Sequence, residues 1–503
     1  MPDRRRQSRR EAVAVIDIGS NSGRVVVFER DASNHLRLLA GSRAPLRLVH
    51  DVDQRAELSE ATMARTMEAL RDFQAIAEGA GASRLTAIAT AAMRDARNGA
   101  RFTERVQREL GIRIEIIGGL TEARLGFVGA IRGLSVSHGL VFDLGGGSLQ
   151  ITRFDNRRMG EAVSLPFGAL RLSEKFLVND PPTRKQLRRL RDHVRGRLKA
   201  DRVSRLLVGD RLVGTGGTLR NVAKIDRHAR RYPIGSLHGY ELASDRLADV
   251  VDQLAATKHK HRDEIPGLSA ERADSIVGGA VAIQTVAEFV GAKRIIVSGQ
   301  GVREGIALRM LKMPVGSPDF VKEASLASLV SRFDGFRSET AQRRRQLASS
   351  LQQSLEPRAS AAIVVAIDNA ARVLDIGRTF DVVNRHERVA DILLTTELIG
   401  LSHHELALAS AIVLRAGDRH ADMPPLASVR KMDPGDVDRA AVILALADEI
   451  EARCPRNRRI AVTTTIGRIV TLSVPAMPSW LAKDIDKRFE QTFGRPLIVR
   501  HRA

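Results

Sequence analysis

The sequence has a single cysteine, Cys454, so no internal disulfide can form and passage through an oxidising compartment is not indicated. Phe, Trp and Tyr together make up 4% of the residues, which argues against a base-stacking platform as the main binding device. No uninterrupted apolar run approaches the roughly 20 residues that span a bilayer. The Arg-rich stretch Met1–Arg10 has no apolar segment behind it and does not read as a secretory signal. These absences predict a soluble, cytoplasmic protein without a membrane partner.

What is present is length and positive charge. A chain of 503 residues exceeds one ordinary core, so several domains are expected. With 80 Lys and Arg against 59 Asp and Glu, the formal net charge is +21, which points to a polyanionic partner: nucleic acid, polyphosphate or an acidic membrane face. A genome-wide preference for Arg gives the same number, so charge alone does not choose among them.

Residues 1–11 read as a disordered basic leader. Val13–Ile16 and Arg24–Phe28 are β-branched runs around Asp17-Ile-Gly-Ser-Asn-Ser22-Gly23, which predicts strand, tight polar turn, strand. A helix over Leu58–Glu78, a strand at Leu85–Ala89, a helix at Thr103–Leu110, a strand at Ile112–Ile117 and a helix from Glu122 to Ile131 follow. The opening pattern then returns: Gly139–Phe142, Asp143-Leu-Gly-Gly-Gly-Ser148, Leu149–Phe154. In both hairpins a Ser lies five residues after the Asp, which predicts a duplicated domain. Further Gly turns follow the strands Arg211–Val213 and Arg294–Val297. Alternating strands and helices predict an α/β class with two lobes, 12–136 and 137–312. Met313–Pro318 reads as a linker. Residues 320–503 read as a mostly helical domain that ends in strands at Arg459–Thr465 and Ile469–Val474, a helix near Trp480–Phe493 and a strand at Leu497–Arg500.

Glycine lets a turn approach a ligand closely, and successive N–H groups in such a turn form an anion nest. Gly145, Gly146 and Gly147 leave room for a phosphate, and Ser20, Asn21, Ser22 and Ser148 add donors. Asp17 and Asp143 cannot donate when ionised; beside a phosphate they suit a Mg²⁺ ion or water. For either hairpin alone, an ordinary Asp/Gly turn competes evenly with this reading. Four such turns, each after a strand, shift the balance towards phosphate.

The two loops resemble the phosphate loops of the exopolyphosphatase/guanosine pentaphosphatase (Ppx/GppA) family. Thr90-Ala-Ala-Met-Arg94-Asp95-Ala-Arg-Asn98, Ile117-Gly-Gly-Leu-Thr-Glu122-Ala-Arg124-Leu125, Gly214-Thr-Gly-Gly-Thr218, Pro266-Gly-Leu with Arg272-Ala-Asp274, and Ser298-Gly-Gln-Gly-Val-Arg303-Glu304-Gly305 resemble further signatures of the same family. The resemblance runs from about residue 12 to 310. It implies a duplicated actin-like, ribonuclease H-like fold and Mg²⁺-dependent release of orthophosphate from the ends of inorganic polyphosphate. Hydrolysis of the 5′-terminal phosphate of pppGpp is the alternative. It gives Glu122 the role of catalytic carboxylate and makes Arg94 a clamp on the terminal phosphoryl. It assigns metal contacts to Asp143 and Asp17, and phosphate contacts to Ser20, Asn21, Ser22, Arg24, Gly145, Gly146, Gly147, Ser148, Gly216, Gly217 and Thr218. From local sequence alone, Glu122 is equally an acidic residue favoured at a helix start, and Arg94 a solvated surface Arg. Arg303 and Glu304 are expected to buttress the cleft.

Three positions depart from the family pattern. Gln150 stands where a Glu is usual, Thr121 replaces an acidic neighbour of Glu122, and Gly118 replaces a Ser. Because Gln150 cannot exchange a proton and ligates Mg²⁺ less well, a non-catalytic polyphosphate or alarmone sensor stays open. Between Arg184 and Arg205 there are ten Lys or Arg and two Asp, spaced as an amphipathic helix with a cationic ridge. A solvated face is the default reading of such a ridge, and a polyphosphate track the minority one. The C-terminal region resembles, more weakly, the HD-like helical domain of long family members, which implies a homodimer. Asp375 lacks a preceding His, and His386, His403 and His404 form no evident ligand set, so this region is expected to be non-catalytic. No specific nucleic-acid partner is expected.

Overall fold

The computed structural model describes residues 11–333, 338–426, 431–455, 461–475 and 483–502. The basic leader Met1–Arg10 lies outside the described residues. So do Arg459, where one strand was expected to begin, and Trp480, near the expected start of the last helix. The chain forms two compact units. The first holds the residues up to Arg231 together with Leu237–Ala324; the second joins Tyr232–Ser236 to the residues from Ser325 onward.

The first unit is built on two sheets with the same plan. In sheet one, β1 (Ala12–Ile18), β2 (Ser22–Arg30), β3 (Leu36–Pro45), β4 (Arg84–Ala89) and β5 (Ile114–Ile116) run in the order β3-β2-β1-β4-β5. In sheet two, β6 (Gly139–Leu144), β7 (Leu149–Asp155), β8 (Arg158–Leu165), β9 (Arg211–Thr215), β10 (Tyr240–Ala243) and β11 (Arg294–Val297) run β10-β11-β9-β6-β7-β8. In each, a hairpin strand pairs antiparallel with its successor and parallel with the strand after the first crossover. The duplication read from the two Asp-x-Gly hairpins is therefore present in the topology, and β10 is an addition to the second copy. β1 is an almost unbroken apolar run because both of its faces are covered, the pattern of a strand inside a partly parallel sheet.

Two glycines bring the helices of this unit together at backbone contact. A Cβ on Gly129 would lie 1.9 Å from the Gly301 carbonyl oxygen, and one on Gly305 would lie 2.1 Å from that of Leu125. Helices Gly119–Arg132 and Val302–Met310 thus pack backbone to backbone. Their first turns carry Glu122 and Arg303, so this contact fixes where those side chains emerge.

The second unit is a cluster of helices, among them Ser338–Leu355, Ala361–Val373, Arg385–Thr395, His403–Gly417 and Pro434–Arg453. A small sheet in the order β12-β13-β14 is made by Thr463–Ile466, Val470–Pro475 and Leu497–Arg502. Its apolar core contains Leu351, Ile367, Leu408, Ile412 and Leu444. Inside that core lies Arg344, with no exposed surface. It donates from Nη2 to both oxygens of Asp375 at 2.9 and 2.8 Å, and from Nε to Asp448 at 2.7 Å. Asp375 is thus committed to a guanidinium. His403 is buried against the Tyr232 hydroxyl at 3.0 Å. Among the described residues, no group of three or more His, Cys, Asp and Glu could hold a metal ion.

His386, half-buried beside Arg385, is held down to about 4 by burial first and then by the Arg385 charge. An unfolded His titrates near 6.5. Between these values the unfolded chain binds a proton that the folded chain refuses. The stability contribution is therefore complete above about pH 6.5 and is lost as pH falls towards 4. Discounted for partial exposure, the loss is about 1–2 kcal/mol. In urea unfolding of the second unit, His386→Gln should flatten the decline between pH 7 and pH 5. A decline as steep as that of the wild type would show that other groups cause it.

Candidate active site

Each hairpin closes with the same turn. The Gly19 amide donates to the Ser22 carbonyl at 3.1 Å, and the Gly145 amide to the Ser148 carbonyl at 2.9 Å. The carbonyls of both turns point away from the space between them. Those of Ser20 and Asn21 accept from the amides of Leu46, Arg47 and Val49; those of Gly145 and Gly146 accept from Ala169 and Leu170. Among the described residues, the amides of Ser20, Asn21, Gly146 and Gly147 donate to no carbonyl. Two sets of free N–H groups at facing turns are what an anion nest requires. The turns touch: a Cβ on Gly147 would lie 2.5 Å from Ser20 Oγ, and one on Gly146 would lie 3.4 Å from Asn21. Here glycine is needed for close approach, not for backbone freedom.

A third turn contributes Gly216, whose φ of 103° is accessible only to glycine without strain. Its missing Cβ would lie 3.0 Å from Asp143 Oδ1. Gly217 then opens the helix Gly217–Ala229, with the Arg272 guanidinium packed so closely that a Cβ there would lie 2.4 Å from Nη2.

One cavity collects most of the expected site. Asp17, Ser20, Asn21, Ser22, Arg24, Glu122, Asp143, Gly145, Gly146, Gly147, Ser148, Gly216 and Gly217 all line it. Thr218 does not; it is buried under Gly279, with its hydroxyl unpartnered. Arg94 does not line it either. Its Nη1 donates to the Ile117 carbonyl at 2.9 Å, just before the helix that carries Glu122, and its charge favours the ionised form of Glu122. Arg303 lines the wall 4.0 Å from Asp17, while Glu304 turns back to accept from the Gly301 amide at 2.6 Å. Thr90, Arg220 and Arg272 are lining residues that sequence reading did not assign. Arg272 was within reach, because it lies in a segment already matched to the family.

The charges are sorted within this cavity. Burial raises all three carboxylates: Asp17 against the pull of Arg303 and Arg24, Asp143 to about 6 against the pull of Arg220 and Arg303, and Glu122, pushed further by Asp143 and Asp17, to about 8. Glu122 Oε2 is buried without a hydrogen-bond partner. Opposite them, Arg24 is pushed down to about 9 by burial, then by Arg303, Arg220, Arg43 and Arg272. Arg272 is likewise pushed down to about 10, by burial and then by Arg43 and Arg220. Like charges held together at a cost mark a site built for opposite charge. The arginines suit phosphate. Among the described residues the carboxylates do not form a closed three-ligand cage, so a divalent cation here would be held by one or two of them together with phosphate oxygens.

Residues 26–313, more than half of the chain, match the Ppx/GppA phosphatase family. The chain belongs to this family. Exopolyphosphatase 1 of Mycobacterium leprae is 30% identical over 303 residues, which cover 59% of this chain and 89% of the relative. The Aquifex aeolicus member of the Ppx/GppA family, solved by crystallography, superposes with a TM-score of 0.53 at 27% identity, covering 60% of this chain and 98% of its own. An exopolyphosphatase structure from Cytophaga hutchinsonii, at 24% identity and a TM-score of 0.55, supports the fold alone. The actin-like α/β architecture and assignment to the hydrolases follow. Among the described residues, no helix is long and apolar enough to cross a membrane.

In this Ppx/GppA chain, Gln150 is 3% exposed and sits directly across β6–β7 from Asp143, as Arg24 sits across β1–β2 from Asp17. Its amide donates to Ser148 Oγ at 2.9 Å and to Ser164 Oγ at 3.4 Å. It therefore orients a loop hydroxyl where a carboxylate would add negative charge beside Asp143.

Proposed function

We propose that the first unit hydrolyses the terminal phosphoanhydride of inorganic polyphosphate, releasing orthophosphate and a chain shorter by one phosphate. The observation that carries this is Glu122, whose Oε2 has no partner, lining a cavity walled by two sets of free amides. The amides of the two hairpin turns, with the hydroxyls of Ser20, Ser22 and Ser148, bind the terminal phosphoryl. The guanidinium groups of Arg24, Arg272 and Arg303 offset its charge. In its ionised form, the minority one at neutral pH while its pKa stands at about 8 and the one a bound cation would favour, Glu122 takes a proton from a water placed in line with the bond to the leaving phosphate, the bridging oxygen departs with the chain, and product leaves as orthophosphate. Asp143 and Asp17 are the residues that would hold Mg²⁺, together with phosphate oxygens. When bound, that ion supplies charge neutralisation on the phosphoryl oxygens.

The test is orthophosphate release from long polyphosphate and from pppGpp, each with Mg²⁺, by the full chain. Release from neither substrate would end the proposal. Release from pppGpp alone would move it to the guanosine phosphate. Gln150→Glu adds a carboxylate opposite Asp143 and should lower the Mg²⁺ concentration for half-maximal rate by about threefold to tenfold. A metal titration that superposes on the wild type would mean that position 150 does not contribute to the cation site. Binding without release in the wild type, with release gained by Gln150→Glu, would favour the sensor reading.

A further inference from the structure

We propose that the Thr90 hydroxyl is the second anchor of the attacking water, holding the hydrogen that Glu122 does not take. This rests on the reading of the cleft as a phosphoanhydride site, and it adds a catalytic residue to that reaction.

The sheet decides where Thr90 stands. β1 and β4 are parallel neighbours, with Asp17 opposite Ile88. Val13 and Val15 of β1, Ile88 of β4 and Leu125 of the helix Gly119–Arg132 belong to one apolar cluster, so that helix covers this face of the sheet. Alternation along each strand puts Asp17 two residues beyond Val15 on the same face, and Thr90 two residues beyond Ile88. The Thr90 amide still donates to the Ile18 carbonyl at 3.2 Å, so the ladder holds through this residue. Glu122 precedes Leu125 by three positions and shares its side of the helix. The Ile117 amide, just past β5, donates to the Ala89 carbonyl at 3.0 Å, which brings the approach to that helix beside Thr90. Asp17, Thr90 and Glu122 therefore leave one face at the C-terminal ends of parallel strands, where open α/β sheets bind their ligands. All three line the cavity. The next residue, Ala91, meets the second hairpin turn: a Cβ on Gly147 would lie 3.4 Å from that of Ala91.

Thr90 also gives up an ordinary role. It occupies the N-cap of the short helix Ala91–Asp95, where a Thr side chain usually accepts from an amide of the first turn. Here it makes no such bond, and among the described residues its hydroxyl has no partner. Thr90 is 6% exposed and lines the cavity, so the hydroxyl is not spent on the fold. The other threonine of the cavity, Thr215, donates to the Gln300 carbonyl at 2.9 Å.

A water in line for attack aims one lone pair at phosphorus and has two hydrogens to place. The ionised Glu122 accepts one and removes it as the proton. The Thr90 oxygen accepts the other, which stays on the water oxygen. As that oxygen bonds to the terminal phosphorus, the bond to the bridging oxygen breaks and its electron pair leaves with the shorter chain. The amides and arginines of the cavity are donors only and cannot hold this hydrogen.

The experiment is steady-state orthophosphate release from polyphosphate by the full chain carrying Thr90→Val, which keeps the shape and loses the hydroxyl, or Thr90→Ser, which keeps the hydroxyl. Thr90→Val should lower kcat about 10- to 100-fold with KM within about twofold, the cost of a mis-aimed nucleophile. Thr90→Ser should stay within about threefold of the wild type. Added to Glu122→Gln, Thr90→Val should cost less than about threefold more, because a water without its base gains little from a second anchor. The Mg²⁺ concentration for half-maximal rate should not move. An unchanged kcat in Thr90→Val would overturn the assignment, as would an equal loss in Thr90→Ser or a full multiplication of the two losses. A rise in KM alone would make Thr90 a phosphate contact, and a shifted metal titration would make it a cation ligand; either overturns it. A wild type that releases no orthophosphate fails at the reaction itself, and the role of Thr90 falls with it.

Discussion

Glu122→Gln should lower kcat for orthophosphate release by about 10²- to 10⁴-fold, the usual contribution of a positioned general base. Gln preserves the size and one acceptor oxygen of Glu but cannot take the proton from water. The residue is half-buried, and its buried Oε2 has no protein partner, so no hydrogen bond of that oxygen is sacrificed and the fold should be unaffected. Removing one of three mutually repelling carboxylates also relieves Asp17 and Asp143. Substrate binding should therefore persist, and the loss should fall on kcat while KM holds or falls. Phosphate release measured over a range of polyphosphate concentrations separates the two constants. A variant that retains kcat would remove Glu122 from the reaction and take the proposed mechanism with it.

The second large effect is on stability. Arg344→Met should destabilise the second unit by about 3–5 kcal/mol. Its guanidinium is fully buried and is held by two carboxylates that are themselves nearly buried, Asp375 and Asp448. Deleting the cation leaves two negative charges in the core, with Arg385 and Arg378 as the remaining counter-charges. That is the costly way to break a buried ion network, because desolvation of the survivors is no longer offset. For a unit of this size the melting temperature should fall by about 10 °C. Replacing Asp375 and Asp448 by Leu in the same chain should restore most of the loss, since an apolar core of similar volume is often as stable as a buried ion triad. Calorimetry on the single and triple variants decides this. If Arg344→Met melts with the wild type, the network carries no net stability.

The most plainly legible strands were those buried on both sides, although half-buried ones such as β2 and β4 were anticipated too. β1 and β6 are runs of apolar residues ending in Asp, and their turns carry the Gly and Ser spacing that announced both hairpin and site. β3 and β8 were not anticipated. Both are half-buried edge strands with Gly, Arg or Glu in their interiors, so too few positions face a core for a period of two to show. The short helix Leu48–Arg55 was also missed, because only three of its eight residues are buried. The helices of the second unit were legible as a class, but the burial of Arg344 was not. A lone Arg in a basic stretch reads as a surface residue until its two partners, distant in sequence, are brought to it.

By itself the sequence determined the chemistry on offer: two glycine turns after apolar strands, an Asp closing each strand, a Glu one turn into a helix, and an excess of cations. These are local facts, written in residue type and spacing. Only the tertiary structure decided which of them share a space. It turned the carbonyls of both loops outward into hydrogen bonds and so left the amides free. It brought Arg24, Arg220, Arg272 and Arg303 from four segments to one cavity, and turned Arg94 to the Ile117 carbonyl instead. The physical reason is that an ionic or amide group acts within a few ångströms, and separation along the chain says nothing about that distance until the sheets and helices have packed.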